Sequence, residues 1–277
     1  MNKSYEDQYL DKLENILKNG YKDEGRNGVT IKLPNQIVEV NLWEGFPILT
    51  TKKVFFKTAM KEMLWMFRDQ SNDVTLLQEQ NVHIWDKWVD ENNTIGKSYG
   101  YQVNNSGQFD KLIDNLKNND QCRRMIVTLW NPKDIPEMTL EPCCVMTIWD
   151  VCDASKCVGE SEYPTKEKYL NCTLVQRSAD TFLGEPFDMV EYAALTHMIA
   201  QVTGLKPGKL THIMTNNHIY EEHIDAVKQQ LSRREEMKNP PTLKLNPEIT
   251  NFYDFKLEDI ELENYENCGP IRAEVKA

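Results

Sequence analysis

The spacing of apolar residues predicts that helices and strands alternate along the chain. Residues 5–18 place tyrosine, leucine and isoleucine on one face of a helix that Gly20 can end. Alternating or β-branched runs predict strands, and Pro34-Asn35 between two of them predicts a hairpin. The predicted helices are 5–18, 56–67, 109–117 and 189–202, and the predicted strands are 29–33, 37–42, 125–129, 145–151, 173–175 and 210–214. This mixture of elements is typical of an α/β protein.

One polar stretch, residues 176–188, lies between the strand 173–175 and the helix 189–202. A strand end followed by a helix N-terminus gathers N–H groups that have no partner within the helix, which suits the recognition of anions and rings. The alternative is an ordinary polar loop between two elements. The polar members of the stretch that bear on this choice are Gln176, Arg177, Ser178, Asp180 and Asp188.

The composition indicates one acidic domain. The chain has 277 residues, 40% of them hydrophobic, and no linker, repeat or low-complexity run divides it, so we expect a single domain over 1–277. Its formal net charge of −11 disfavours non-specific binding to nucleic acid or to an anionic membrane. A bound phosphate would therefore require a local cluster of arginines. No apolar run approaches the ~20 residues that cross a bilayer.

The seven cysteines favour free thiols over a disulfide framework, because their number is odd and their spacing is scattered. None of the spacings is Cys-x-x-Cys, and His218 and His223 are not four residues apart, so we expect no metal site. These features, with no signal peptide, favour the reducing cytoplasm. The charged segment 153–168 is interpreted as a loop insertion without assigned chemistry.

Two motifs resemble segments of the thymidylate synthase family. The segment QRSADTFLGEPFD, residues 176–188, is similar to the family's substrate-binding motif QRSxDxxLGxPFN, and residues 138–143 resemble its nucleophile segment. The resemblance extends over residues 9–277. It implies a three-layer α/β fold in which a large mixed sheet forms the interface of an obligate homodimer.

The resemblance implies a covalent mechanism. Cys143 would add as a thiolate to C6 of a pyrimidine, which makes C5 nucleophilic and divides one hard step into two easier ones. Its pKa would have to fall from ~8.5, and Arg177 is the candidate for that effect. Glu62 would organise water at the ring, Tyr99 would help the C5 proton to leave, and Asp180 completes the catalytic set. On pattern alone, Glu62 could instead face solvent and Cys143 could be a small core residue.

The resemblance also implies a nucleoside monophosphate site. Four arginines would bind the phosphate, and two of them, Arg123 and Arg124, would come from the other subunit. Adjacent arginines at the start of a strand are expected to point to opposite faces. His218 and Tyr220 would hold the sugar 3′-hydroxyl. The substrate-binding set is Arg26, Arg123, Arg124, Gln176, Arg177, Ser178, Asp188, His218 and Tyr220.

A second implied ligand is 5,10-methylene-tetrahydrofolate, as a co-substrate. The Ile-Trp-x-x-Trp segment at 84–88 would line its site, and the C-terminal tail would fold over it. The folate-binding set is Lys52, Ile84, Trp85, Trp88, Leu140, Asp180, Leu183, Gly184, Phe187 and Ala277.

Asp188 stands where the family motif has asparagine, and this change bears on the choice of base. An ionised aspartate only accepts hydrogen bonds, so it favours the N4 amino group of cytosine over O4 of uracil by ~1–3 kcal/mol. We therefore expect dCMP as substrate and, by resemblance to deoxycytidylate hydroxymethylases, 5-hydroxymethyl-dCMP as product. The alternatives are a thymidylate synthase acting on dUMP, a dCMP C5-methyltransferase, a helix N-cap role for Asp188, and a binding protein without turnover.

Overall fold

The computed structural model describes residues 3–276, which form a layered α/β structure around a six-stranded sheet. The strand order is β1-β2-β6-β5-β4-β3, and every neighbouring pair is antiparallel except β5–β6, which is parallel. A separate antiparallel pair, β7–β8, follows near the C-terminus. The strands are β1 Tyr21–Gly25, β2 Gly28–Asn41, β3 Ile126–Thr128, β4 Cys144–Asp153, β5 Lys168–Asp180, β6 Lys206–Tyr220, β7 Thr242–Leu245 and β8 Ile260–Glu263. The predicted α/β class with a large mixed sheet is confirmed.

The helices pack on the sheet and on one another. Ser4 caps the first helix by accepting a hydrogen bond from the Asp7 N–H, and Gly204 ends the longest helix with a φ of +72°. The second helix continues into a π-helical turn, Leu64–Arg68. The α-helices are α1 Tyr5–Asn19, α2 Phe56–Met63, α3 Thr75–Gln78, α4 Gly100–Asn104, α5 Gln108–Asn118, α6 Gly184–Thr203 and α7 Ile224–Leu231.

Helix α6 lies at the centre of the core. It connects the parallel strands β5 and β6, and it packs against both of them and against α2. Its residues are buried or partly buried on all sides, which explains why its apolar residues are not confined to one stripe. Because α6 begins where β5 ends, the packing of this helix fixes the position of the polar stretch 176–188.

The predicted hairpin at Pro34-Asn35 is wrong. Residues 28–41 form one continuous strand, β2, and the hairpin turn lies earlier, at Arg26-Asn27 between β1 and β2. Strand β1 pairs only with residues 28–32 of β2, so the β1-side edge of β2 has no partner strand at Pro34. A proline is tolerated at such an open edge because its missing N–H leaves no carbonyl unpaired.

Other element boundaries also differ from the predictions. Helix α6 starts at Gly184 rather than at 189, so Asp188 lies inside the helix and the N-cap alternative for it is wrong. Arg123 and Arg124 lie in a turn before β3, so the strand rule of opposite faces does not apply to them. Strands β4 and β6 are longer than predicted, because pairing with neighbouring strands extends them beyond their apolar runs.

The insertion forms a small aromatic cluster against the sheet. The rings of Tyr163 and Tyr169 stack with centroids 4.5 Å apart, and Trp43 packs 5.1 Å from Tyr163. The main hydrophobic cluster includes buried residues from Tyr5 to Ile271. The single domain over residues 1–277 remains a prediction. Among the described residues, no helix combines the length and the apolar character that a membrane crossing demands.

Candidate active site

The candidate site forms at one edge of the sheet, where β5 and β6 end and β4 begins. Since β5 and β6 are parallel, their carboxyl ends meet there: Ser178 pairs with Asn216, and Asp180 pairs with His218. Strand β4 runs in the opposite direction, so its first residues, next to Cys143, reach the same edge. Ligand sites in α/β proteins commonly lie at the carboxyl ends of parallel strands. The topology therefore brings the sequence-predicted nucleophile and substrate motif together.

Cys143 lies in a partly buried position beside Arg177. The Arg177 Nη2 atom is 3.9 Å from the Cys143 sulfur, and the guanidinium also donates to the carbonyls of Pro142 and Glu141 at 2.9 and 2.7 Å. These carbonyl bonds hold the guanidinium against the cysteine segment. The Tyr99 hydroxyl accepts a hydrogen bond of 3.0 Å from the Cys143 backbone N–H. A thiol, a fixed cation and a phenol thus meet at one point.

The expected lowering of the Cys143 pKa is not found in the isolated chain. Burial raises the pKa of the thiol, the nearby Arg177 charge lowers it, and Asp188 and Glu141 raise it further. The net shift is upward because desolvation of the thiolate outweighs one cation. Additional positive charge or a bound ligand must act on this sulfur before the thiolate dominates at neutral pH.

Glu62 is buried rather than solvent-facing, so the solvent-facing alternative is wrong. Trp85 Nε1 donates a 2.8 Å hydrogen bond to Glu62 Oε1, and burial raises the pKa of the carboxyl group. The Trp85 ring in turn lies 5.2 Å from the ring of Tyr99. Tyr99 has a φ of +34°, an unusual conformation for a tyrosine that the surrounding packing maintains. The next residue must be a glycine, Gly100, because a Cβ at this position would lie 2.0 Å from the Ser71 carbonyl oxygen.

Asp188 is the end of a hydrogen-bonded chain. Gln176 Nε2 donates to Asp188 Oδ2 at 2.8 Å, and His212 Nε2 lies 2.6 Å from Gln176 Oε1. The thiol of Cys144 lies 3.5 Å from Asp188 Oδ1. Burial raises the pKa of Asp188 to about 7, although the hydrogen bonds from Gln176 and Cys144 lower it. Near neutral pH this side chain therefore exists in both protonation states.

The predicted sugar-binding residues are neighbours. The rings of His218 and Tyr220 lie 5.1 Å apart, and the charge of Asp180 opposes the lowering of the His218 pKa by burial. Asp180 Oδ1 accepts from the N–H groups of residues 182 and 183, which fixes the turn into α6. Burial and Asp180 raise the pKa of Tyr220, while the charge of Arg26 lowers it. Arg26 is thus near this group, on the tip of the β1–β2 hairpin.

The predicted folate-binding residues divide into two sets. Most of the apolar ones are only partly buried and pack against the core while leaving surface free; these are Ile84, Trp88, Leu140, Leu183 and Phe187. Lys52 is buried, and its Nζ binds the Phe182 carbonyl and lies 3.7 Å from the Phe182 ring centroid. Its ammonium group is directed into the protein rather than toward an open surface.

The C-terminal tail packs beside the same region. Lys87 Nζ donates to the Val275 carbonyl at 3.0 Å, and His223 Nε2 lies 2.8 Å from the Glu274 carbonyl. Ala277, predicted to contact the folate, lies outside the described residues.

Arg123 and Arg124 do not reach this site within one chain. Ile126 of β3 pairs with Ile148 of β4 in an antiparallel register, so the two arginines before β3 lie level with β4 residues beyond Ile148, far from Cys143. At ~3.4 Å per residue this separation is about 20 Å, beyond the length of an arginine side chain. Both arginines are exposed.

The sequence motifs missed two residues of the site. Glu191 is buried beside Glu62, and His212 is buried beside Gln176. Glu191 gave a usable signal, because it is an acid among apolar residues of a predicted helix, as Glu62 is. His212 gave none, since a histidine in a strand is usually structural.

Comparisons with known proteins agree with this geometry. The family model described as thymidylate synthase matches residues 7–277. A thymidylate synthase of Clostridium beijerinckii is 53% identical over 272 residues, covering 98% of each chain. The structure of the thermostable thymidylate synthase A from Bacillus subtilis matches with a TM-score of 0.88 at 34% identity, covering 99% of this chain and 100% of that one.

The fold and the site define a folate-dependent one-carbon transferase acting on a pyrimidine nucleotide. The chain belongs to the thymidylate synthase family. The predicted enzyme type, a methylene-tetrahydrofolate-dependent transferase, and the predicted co-substrate are confirmed at this level. The closeness to deoxycytidylate hydroxymethylases that Asp188 suggested finds no support in these relatives. They favour the alternative of a thymidylate synthase.

The sequence analysis predicts no metal site. No group of three or more histidine, cysteine, aspartate or glutamate side chains is arranged to hold a metal ion in the described part of the chain. All seven cysteines have free thiols.

Proposed function

We propose that this protein transfers a one-carbon unit to C5 of dUMP and releases dTMP. The observation that carries the proposal is the meeting of Cys143, Arg177 and the Tyr99 hydroxyl at the carboxyl edge of the sheet. Related thymidylate synthases with 53% and 34% identity support the choice of substrate.

Each proposed residue has a defined task. The Cys143 thiolate forms a bond to C6, and the same bond breaks at the end to restore the thiolate. Arg177 stabilises the sulfur anion and binds the phosphate together with Arg26 and Ser178. Tyr99 and Glu62 hold the water that receives the C5 proton. Methylene-tetrahydrofolate supplies the carbon unit and the hydride when it is bound.

The exposed surface beside the site fits a folate. Half-buried apolar residues beside the site, Trp88 among them, offer apolar surface of the kind that a planar ring system requires. The hydrogen bond from Trp85 to Glu62 holds one aromatic ring of this segment in place. We propose a methyl rather than a hydroxymethyl product, which the thymidylate synthases among the relatives and the tail packed beside this surface support.

Asp188 can recognise uracil only in its protonated form. A carboxylic acid offers one donor and one acceptor, as an asparagine side chain does, so it can pair with O4 and N3–H of uracil. The pKa of about 7 makes this form available at neutral pH. Asp188 also carries a second candidate function, because an ionised Asp188 accepts from the N4 amino group of cytosine. That candidate is C5 transfer to dCMP.

A competition experiment tests the choice of base. The protein is incubated with methylene-tetrahydrofolate and equal amounts of dUMP and dCMP at pH 6 and pH 8, and the products are identified by mass. We expect dTMP to predominate at pH 6 and the dCMP product to gain a share at pH 8. The D188N variant serves as the control, with dTMP at both pH values. A dCMP product in excess at both pH values would overturn the proposal of dUMP.

The nucleophile is tested by a matched pair of cysteine variants. We expect C143A to lose turnover by several orders of magnitude while it still binds dUMP. C144A changes the adjacent cysteine, whose pKa burial raises well above the ordinary value, and should remain active. Turnover by C143A would remove the covalent mechanism. A chain that binds nucleotide but never turns over, even unmutated, would be the binding protein considered above.

We also propose that the active form is a homodimer formed through the open face of the sheet. Ile37, Ile213, Val175 and Met146 are successive cross-strand neighbours, so their side chains form one apolar row across four strands. Ile37 is 62% exposed, which is unusual for a row of this kind on a monomer. In the proposed dimer, Arg123 and Arg124 of the second copy would add to the positive charge that Arg26 and Arg177 supply at the phosphate.

Subunit complementation tests this arrangement. C143A and an R123A/R124A variant should each be inactive, and a mixture refolded together should regain part of the activity. Regained activity requires that one chain supplies the thiol and the other the arginines. No recovery, in a mixture shown by native mass spectrometry to contain mixed dimers, would exclude the shared site.

The proposed location is the cytoplasm, since free thiols fit a reducing compartment.

A further inference from the structure

A second buried acid lies beside Glu62, and the proposed reaction assigns it no task. Glu191 lies on α6 close to Asp188 and is only 3% exposed. Its Oε1 atom is buried without a hydrogen-bond partner among the described residues. Its carboxyl group is within hydrogen-bonding reach of Glu62 on α2. Two acids of different helices therefore meet inside the site.

Two buried carboxyl groups in contact cannot both be ionised, because their charges repel and neither is hydrated. A single proton between them removes one charge and creates a strong O–H···O⁻ hydrogen bond. Within residues 3–276, the groups that surround the pair supply no cation to replace the proton. Asp188 and Tyr192 face it from α6, Cys144 from β4, and Tyr99 and Trp85 from the segments before α4.

The surroundings also decide which acid holds the proton. Trp85 Nε1 donates to Glu62 at 2.8 Å, which stabilises a carboxylate there. Glu191 lacks such a donor at Oε1, and Asp188 adds a repulsive charge. Burial raises the pKa of Glu191 well above its ordinary value. Burial also raises the pKa of Glu62, but the hydrogen bond with Glu191 lowers it.

We propose that Glu191 is a positioning residue that keeps the shared proton and donates a hydrogen bond to Glu62, so that Glu62 faces the pyrimidine as a carboxylate. A carboxylate can orient the water that receives the C5 proton, whereas a protonated Glu62 cannot accept it. The kinetic part of this inference rests on the proposed function, while the protonation state of Glu191 does not.

Infrared spectroscopy tests the proton directly and without turnover. At pH 7 the intact protein should show a carbonyl band of a buried carboxylic acid that is lost in E191Q and is retained in D188N. A spectrum in which E191Q keeps every such band would overturn the proposal. Because no substrate is added, this result is independent of whether the protein acts on dUMP.

The pH profile of kcat tests the consequence. E191Q should keep kcat within about threefold of the wild type with its acid limb unchanged, since the amide N–H replaces the O–H donor. E191L removes the donor, so kcat at pH 7 should fall about tenfold and the acid limb should move up by about one pH unit. Identical acid limbs in E191L and the wild type would contradict the proposal. If E191L does not fold, E191Q and the infrared bands decide. A wild type without any turnover would reject the proposed function instead, and the infrared result would stand.

Discussion

Helix α6 buries two glutamates, and the molecule neutralises them in different ways. Glu185 in the first turn forms an ion pair with Lys12 of α1, with side-chain exposures of 0% and 4%. Glu191, later in the same helix, meets another acid, Glu62. The first pair joins two helices, and its opposite charges balance each other. The second pair, Glu191 and Glu62, shares a proton that can shift between the two acids, as general acid–base chemistry requires.

This difference has a general physical basis. A buried ion pair balances two desolvated charges, so the removal of either partner leaves an uncompensated charge. An acid–acid pair with one proton carries a single charge, and replacement of the protonated member by a neutral side chain changes little. Substitutions on α6 can therefore separate the two cases.

The largest effect is expected at the ion pair. K12M should lower the free energy of unfolding by about 3–5 kcal/mol, because Glu185 remains buried without its partner. Urea denaturation at pH 7 measures this change. The double variant K12M/E185L should recover most of the loss, because apolar side chains can replace a buried ion pair at little cost. A loss of less than about 1 kcal/mol in K12M would show that the pair contributes little.

An intermediate effect is expected from Asp188, as a dependence on pH. Its pKa is about 7 in the folded chain, against 3.8 as the ordinary value, so folding takes up a proton between these limits. The stability of the wild type relative to D188N should therefore fall as the pH rises from 4 to 7 and level off above. Urea denaturation of both proteins across this range measures the difference. A difference that rises with pH would place the pKa of Asp188 below its ordinary value.

The smallest effect is expected from the neutral replacement of Glu191. E191Q should change the free energy of unfolding at pH 7 by less than about 1 kcal/mol, because the protonated acid is already neutral. E185Q makes the same substitution in the same helix and should cost at least about 3 kcal/mol, because it leaves Lys12 unpaired. Equal losses in the two variants would mean that Glu191 is ionised and that the contrast between the two glutamates is wrong.

Local signals predicted much of the fold. The apolar-periodic segment after Asp188 predicted the helix that became α6, and Gly204 ended it as expected. The hairpin was misplaced because a proline interrupts a strand only where a neighbouring strand needs the missing N–H as a donor. Whether β2 has such a neighbour at Pro34 depends on the pairing of the whole sheet, which the local sequence does not show. Helix α6 also began before its apolar run, since packing on β5 and β6 extends a helix beyond its own pattern.

The sequence by itself determined the family and the chemistry available: a thiol at 143, an arginine at 177 and an acid in place of an amide at 188. Only the tertiary structure decided how these groups act on one another. It placed Glu191 against Glu62, raised the pKa of Cys143 by burial despite Arg177, and held Arg123 and Arg124 about 20 Å from the thiol of their own chain. Charge and proton sharing depend on distance and desolvation, and residues far apart in sequence acquire both only when the chain folds.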